Sequence, residues 1–286
     1  SFSFAKVPYG TWIIREIESP KGYVLSEEEI AVTIGKVDEV VEIELVNYFI
    51  KGNIALTKVD EDYPDNKLSG AVFEVYSDTN GDGKLDKDDT LLGEMKELDG
   101  GVYQMSELRY GKYLVKETKA PTGFVLDEDV YAVSIEENGK TYTVENKAGV
   151  GFINAAQKGS LKIVKTSSDG KVEGFSFRVT GVDYDQTFKT DKNGEIVIEG
   201  LRIGDYTVSE VSDKASAGYI LPADKQVTVK VNATAIVQMH NEFRDTPKTG
   251  DDFNLGLWVS LAALSVVGAG VLGFVGYKNR KKKKED

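Results

Sequence analysis

The chain has 286 residues with 41% apolar content, 29 glycines, 14 tyrosines, one histidine, no cysteine and a net charge of −12. That length supplies two ordinary domains and more, the tyrosines suit strands, and the acidic balance disfavours nucleic acid as a partner, because phosphates are held by Lys and Arg. An exported protein without cysteine must find its rigidity without disulfides, and a chain with one histidine and no thiol has little with which to build an enzyme site.

No methionine and no secretory signal open the chain, and Ser1 falls inside a repeat that is incomplete, so the expectation is a fragment with further sequence upstream. Self-comparison aligns three segments, Tyr9 to Glu16, Tyr110 to Glu117 and Ile203 to Glu210, each with its Glu six residues after a Gly. Two of them run on into turns with proline and glycine, Ser19-Pro20-Lys21-Gly22-Tyr23 and Ala120-Pro121-Thr122-Gly123-Phe124, while the third keeps only Ala217-Gly218-Tyr219. The unit is a strand followed by a turn.

A second match joins the end of one repeat to the start of the next: Gly52 follows Asn47 by five residues, and Gly159 follows Asn154 by five. Beyond those glycines, Ile54, Leu56 and Lys58, like Leu161, Ile163 and Lys165, occupy alternate positions, and side chains alternate faces along a strand. The same parity groups Tyr113, Val115 and Glu117; Tyr206, Val208 and Glu210; Phe152 and Asn154; and Val237, Met239 and Asn241. One Lys, one Glu and one Asn therefore point inward per repeat, and His240 points outward.

Burying an unpaired charge costs several kcal/mol, and such a group tends to become neutral instead. Desolvation lowers a lysine pKa, giving a nucleophilic amine, and raises a glutamate pKa, giving a proton carrier able to polarise the Asn carboxamide. Attack of Nζ on the Asn Cγ then releases ammonia and leaves an intramolecular Lys–Asn isopeptide bond. The plainer alternatives are polar residues near strand ends, or an unreacted buried ion pair.

These residues carry a resemblance to the Cna B-type repeat, the prealbumin-like, inverse immunoglobulin-like domain of collagen-adhesin stalks and SpaA-like pilins. Val115 to Phe124 (VKETKAPTGF) is similar to that family's E-box, and Thr57-Lys58-Val59-Asp60 to its first-strand lysine. The resemblance implies an all-β fold of tandem β-sandwiches. It also implies one crosslink between Lys58 and Asn154 promoted by Glu117, and another between Lys165 and Asn241 promoted by Glu210. Glu16 and Asn47 belong to a first repeat whose lysine strand is missing. The third repeat departs from the pattern after Glu210, where Val211-Ser212-Asp213-Lys214 stands. The expected domains are residues 1–50 (the end of a first repeat), 51–157 and 158–245 (two complete repeats) and 246–286 (a terminal signal).

Within the second repeat, Asp78, Asn80, Asp82, Gly83, Lys84, Leu85, Asp86 and Asp89 fall at positions 1, 3, 5, 6, 7, 8, 9 and 12 of an EF-hand-type loop, with Lys84 offering its carbonyl. The flanks read as strands, and Asp89 stands where the bidentate Glu belongs, so a Ca²⁺ site here is expected to be weak. The alternative is a solvated acidic hairpin loop with Asn-Gly and Asp-Gly turns. No other cofactor is expected.

At the C-terminus, Leu255 to Tyr277 is 23 residues without a charge, long enough for a transmembrane helix. Lys278, Arg280 and Lys281 to Lys284 follow, which places the C-terminus inside and the repeats outside. Upstream stands Thr246-Pro247-Lys248-Thr249-Gly250. Pro-x-Thr-Gly, acidic spacer, apolar span and basic tail together resemble the sortase signal of Gram-positive surface proteins, with Thr246 in place of the usual Leu. That resemblance implies a membrane-held precursor, sortase as a partner, cleavage between Thr249 and Gly250, and transfer to peptidoglycan in the cell wall. The expected role is a structural stalk or minor pilin displaying an upstream head. The alternative is an adhesive module whose repeats themselves bind a host protein or glycan.

Overall fold

A computed structural model describes residues 2–244, and every regular element among them is a β-strand. The first unit is a hairpin of β1 (Gly10–Arg15) and β2 (Glu29–Ile34), paired antiparallel from Gly10 opposite Ile34 to Arg15 opposite Glu29. Most of its apolar side chains, including Trp12, Ile13 and Ile17, are exposed, and Val32 is the one buried hydrophobic of the hairpin.

The second repeat runs through β3 (Lys51–Asp60), β4 (Val72–Ser77), β5 (Thr90–Glu94), β6 (Lys96–Asp99), β7 (Val102–Arg109), β8 (Gly111–Lys119), β9 (Val130–Ile135), β10 (Thr141–Thr143) and β11 (Phe152–Asn154). One sheet has the order β10-β3-β7-β6 with β11 also on β3, and the other has the order β5-β4-β8-β9. Their facing side chains form one core, with Ile54, Leu56, Phe73, Val75, Val115 and Phe152 at its centre. Burial alternates along β3 as far as Lys58, so Gly52, Ile54, Leu56 and Lys58 face inward, as period-two geometry requires, and Val59 and Asp60 at its end are both buried.

The third repeat contains β12 (Lys158–Ser167), β13 (Ser176–Gly181), β14 (Tyr184–Lys189), β15 (Glu195–Arg202), β16 (Gly204–Val211), β17 (Tyr219–Ile220), β18 (Lys225–Val229) and β19 (Thr234–Phe243). Its sheets, β15-β12-β19-β17 and β14-β13-β16-β18, close over a separate core built on Leu161, Ile163, Phe175, Phe177, Val208 and Met239. In both repeats the first strand lies parallel to the last, β3 with β11 and β12 with β19. Here β19 is one continuous strand, whereas the corresponding stretch of the second repeat is split into β10 and β11. The break is a turn in which Lys147 O accepts from both Val150 and Gly151.

The linkers between repeats are hydrogen-bonded rather than loose. Ile50 N donates to Gly22 O of the first unit at 2.9 Å, and Ile50 O accepts from Tyr110 N of the second at 2.9 Å. Gln157 does the same one repeat later, donating to Gly123 O at 2.8 Å and accepting from Ile203 N at 3.1 Å. Gly22 and Gly123 have φ of +85° and +87°, a backbone state that residues with a Cβ rarely adopt. Arg202 then bridges the second junction, meeting Asp60 at 2.6 and 2.8 Å and Asp62 at 2.9 Å.

Burial pushes the Asp60 carboxyl up, but the Arg202 guanidinium and neighbouring main-chain amides override it and hold the group below its ordinary value. A depressed carboxyl pKa contributes stability that is present above the unfolded value and is lost as pH falls through the folded one. Arg202→Ala, which strands the buried Asp60, is expected to destabilise the chain by about 3 kcal/mol at neutral pH. Denaturant melts should show the gap between wild type and variant closing below about pH 4.

Candidate crosslinking sites

In the second repeat, β3, β8 and β11 bring Lys58, Glu117 and Asn154 to one point inside the core, each at most 3% exposed. The Lys58 amine lies 3.8 Å from Glu117 Oε1 and donates to Phe152 O at 3.0 Å, with the Phe152 ring centre 4.9 Å away. Asn154 Nδ2 donates to both Glu117 oxygens at 3.0 and 2.9 Å. The Asp127 main-chain N–H closes on Glu117 Oε2 at 2.8 Å. Asn154 Oδ1 is buried with no hydrogen-bond partner.

Strand register explains the convergence. Lys58 is opposite Phe152 on β11, so Asn154, two residues on, shares its face. Lys165 is opposite Met239 on β19, and Asn241 is again two residues on. Burial lowers the Lys58 amine to about 8, against the opposing pull of Glu117. Burial likewise raises the Glu117 carboxyl, with the Asp127 amide, Asn154 and Lys58 acting the other way.

The third repeat assembles the same three types of residue with looser contacts. Asn241 Nδ2 donates to Glu210 Oε1 at 2.7 Å, while Lys165 donates to Thr166 O at 2.5 Å and lies 4.2 Å from the Phe175 ring centre. Glu210 Oε2 and Asn241 Oδ1 are both buried and unpartnered. Burial lowers Lys165 and raises Glu210. In the first unit, Asn47 Nδ2 donates to Glu16 at 2.9 and 2.7 Å, and Ser26 N donates to Glu16 Oε2 at 2.8 Å. The Asn–Glu half of the site thus occurs three times.

The acidic loop is laced by hydrogen bonds from its own main chain. Asp78 accepts from the Gly81 and Gly83 amides at 2.7 and 3.2 Å, Asp82 from Lys84 N at 2.9 Å, and Asp89 from Thr79 N and Asp86 N at 3.1 and 2.8 Å. Asn80 Nδ2 donates to Asp86 Oδ2 at 3.1 Å. Among the described residues, no three acidic, His or Cys side chains gather where they could hold a metal. His240 is exposed and bonds Thr166 and Glu242. Thr246, Pro247, Lys248, Thr249, Gly250 and the apolar stretch from Leu255 lie outside the described residues. No helix among those described is long and apolar enough to cross a membrane.

Sequence reasoning did not find the main-chain clamp on the glutamate, donated by Ser26 and Asp127. Its signal was present as Gly22-Tyr23-Val24-Leu25-Ser26 and Gly123-Phe124-Val125-Leu126-Asp127, with the donor four residues after the turn glycine. Strand parity grouped Phe152 with Asn154 but gave no sign that the Phe152 and Phe175 rings lie beneath the amines.

The family model for the SpaA prealbumin-like fold domain matches residues 1–48, 52–148 and 159–243. The chain belongs to this family. Among solved structures it is similar to the Bacillus anthracis TIE protein at 27% identity and a TM-score of 0.63, over 83% of this chain and 42% of that one. This SpaA-family chain therefore spans less than half the length of that relative. It also matches the minor pilin GBS52 of Streptococcus agalactiae (17% identity, TM-score 0.32, 70% of this chain and 100% of that one) and the shaft pilin SpaA of Lactobacillus rhamnosus GG (14%, 0.31, 68% and 98%). No curated protein sequence matches it.

Removing one member of a buried charged set leaves the others unpaired. Glu117→Ala is expected to destabilise the second repeat by about 3 to 5 kcal/mol. Residue-resolved hydrogen exchange should register the loss in that repeat and leave the core of the third unchanged.

Proposed function

We propose that this chain is the stalk portion of a pilin-like, wall-anchored surface protein of a Gram-positive bacterium, whose second and third repeats each staple themselves with a Lys–Asn isopeptide bond. The observation that carries the proposal is the burial of the Lys58 amine beside Glu117 and the Asn154 carboxamide with no water-exposed member. An amine lowered to about 8 has an appreciable neutral fraction near pH 7. Neutral Nζ attacks Asn154 Cγ, Glu117 relays the amine proton to the departing nitrogen, and ammonia leaves as the new amide forms. Lys165, Glu210 and Asn241 make the second bond by the same steps. Each site turns over once, so the chain is not an enzyme in the ordinary sense.

The mechanical use follows from the register. A bond from Lys58 to Asn154 ties the first strand of a repeat to the last, so pulling on the chain ends loads a covalent link instead of strand hydrogen bonds. By loop-closure entropy such a link stabilises by roughly 4 to 5 kcal/mol. In this proposal Thr246-Pro247-Lys248-Thr249-Gly250 is the sortase signal, cut between Thr249 and Gly250, which joins the stalk to peptidoglycan on the extracellular face. Until then the apolar stretch from Leu255 to Tyr277 holds it in the membrane.

Intact-mass measurement of the chain tests the chemistry, since each bond lowers the mass by one ammonia. The expected result is two ammonias missing from wild type, one from Asn154→Ala and one from Asn241→Ala. A folded wild-type chain at its full formula mass would rule the staples out. Ca²⁺ at the Asp78 to Asp89 loop is a separate proposal: with Asp89 in place of the bidentate Glu and strands in place of flanking helices, affinity no tighter than about 10⁻⁴ M is expected. Titration calorimetry giving no heat at millimolar Ca²⁺ would remove it.

A further inference from the structure

The three glutamates of the repeated sites have different main-chain partners. Each follows its own strand into a turn of matching sequence: Gly22-Tyr23-Val24-Leu25-Ser26, Gly123-Phe124-Val125-Leu126-Asp127 and Gly218-Tyr219-Ile220-Leu221-Pro222. The structure confirms this alignment, because the turn glycine accepts the same bond each time, from Ile50 N at 2.9 Å, Gln157 N at 2.8 Å and Arg244 N at 2.7 Å. The aromatic residue after it pairs in each case with the residue two past the site Asn: Tyr23 with Phe49, Phe124 with Ala156, and Tyr219 with Phe243.

Ser26 N and Asp127 N each donate to Oε2 of their glutamate at 2.8 Å. Proline has no amide hydrogen to give. In the third repeat Glu210 Oε2 is a buried oxygen without a partner, a condition that neither Glu16 nor Glu117 shares. We propose that Pro222 is a positioning residue of the third site: by withholding the N–H that Ser26 and Asp127 supply, it leaves Glu210 unclamped and biases that carboxyl toward its protonated form.

The physical reason is that a hydrogen bond from a main-chain amide favours the charged carboxylate, so its loss favours the acid. The groups facing Glu210 are Lys165 on β12 and Asn241 on β19, with Asp213 just beyond β16 and Phe177 opposite on β13. Lys165 favours the carboxylate and Asp213 the acid. Around Glu117 the set is Lys58, Asn154 and Asp127, so the two surroundings differ in the clamp, in the second bond that Asn154 makes and in the 3.8 Å approach of Lys58. A protonated Glu210 also has an O–H to offer. Once the carboxamide turns, that hydrogen reaches Asn241 Oδ1, the second orphan of the site. Donation to this oxygen withdraws electron density from Cγ, the atom that Lys165 must attack. This chemical use rests on the crosslink proposed above; the bias of the carboxyl does not.

The test follows the Glu210 carboxyl by ¹³C NMR across pH in the full chain carrying Lys165→Ala, so that no bond forms at this site. Adding Pro222→Ala restores an amide hydrogen and is expected to lower the Glu210 midpoint by about one pH unit. A midpoint that stays where it was overturns the proposal. The converse pair, Asp127→Pro against Asp127→Ala in a Lys58→Ala chain, should raise the Glu117 midpoint by a similar amount, and guards against a variant that merely loosens the third repeat. With Lys165 present, Pro222→Ala should slow ammonia loss from the third repeat about tenfold at neutral pH. If no chain loses ammonia, the crosslink proposal fails, while the two titrations still decide the role of Pro222.

Discussion

A lysine amine sealed inside a β-sandwich is the constraint around which each complete repeat is organised. Lys58 and Lys165 are among the largest fully buried side chains of the chain, in the company of Phe73, Phe152, Phe175 and Phe177. Such an amine is tolerable only with a counter-charge, an acceptor or a lost proton. The second repeat gives it Glu117 across 3.8 Å and the Phe152 carbonyl, and the third gives it a main-chain carbonyl and an aromatic face. The parallel pairing of first and last strands is what places an Asn two residues beyond the lysine's partner in both cases. Fold and site are thus one arrangement: shifting that register by a single residue would turn the carboxamide to the opposite face.

The same chain economy governs the junctions. The residue three past each site Asn, Ile50 or Gln157, is bonded backward to a turn glycine and forward to the next repeat. The end of the Asn-bearing strand is therefore also the connection to its neighbour. Arg202 adds a charged clasp on Asp60, itself the last residue of the strand that carries Lys58. These contacts link one lysine-bearing strand to the next.

Much of this was legible because β-strands report their burial with a period of two. The alternation of Ile54, Leu56 and Lys58, and of Val237, Met239 and Asn241, marks inward faces before any partner strand is known. Repetition then aligned Glu16, Glu117 and Glu210. The main-chain clamp was not legible in the same way, because an amide donor has no side-chain signature and its role depends on where a turn folds back. The junction arginine was hidden for a related reason: Arg202 and Asp60 are far apart in sequence, and neither residue type alone announces a buried pair. For the acidic loop, spacing aligned Asp78, Asn80, Asp82, Asp86 and Asp89, and the structure adds the nearby main-chain amides that several of these side chains accept, as such residues commonly do in turns.

By itself the sequence determined that the chain is a series of β repeats, the two complete ones each with one inward Lys, Glu and Asn, because side-chain alternation and self-similarity are local properties written residue by residue. The tertiary structure alone decided that those three meet, which oxygens are clamped and which are left orphaned, and that the linkers bind on both sides. Those outcomes depend on strand register and on main-chain groups brought together from distant positions, and no local pattern encodes either.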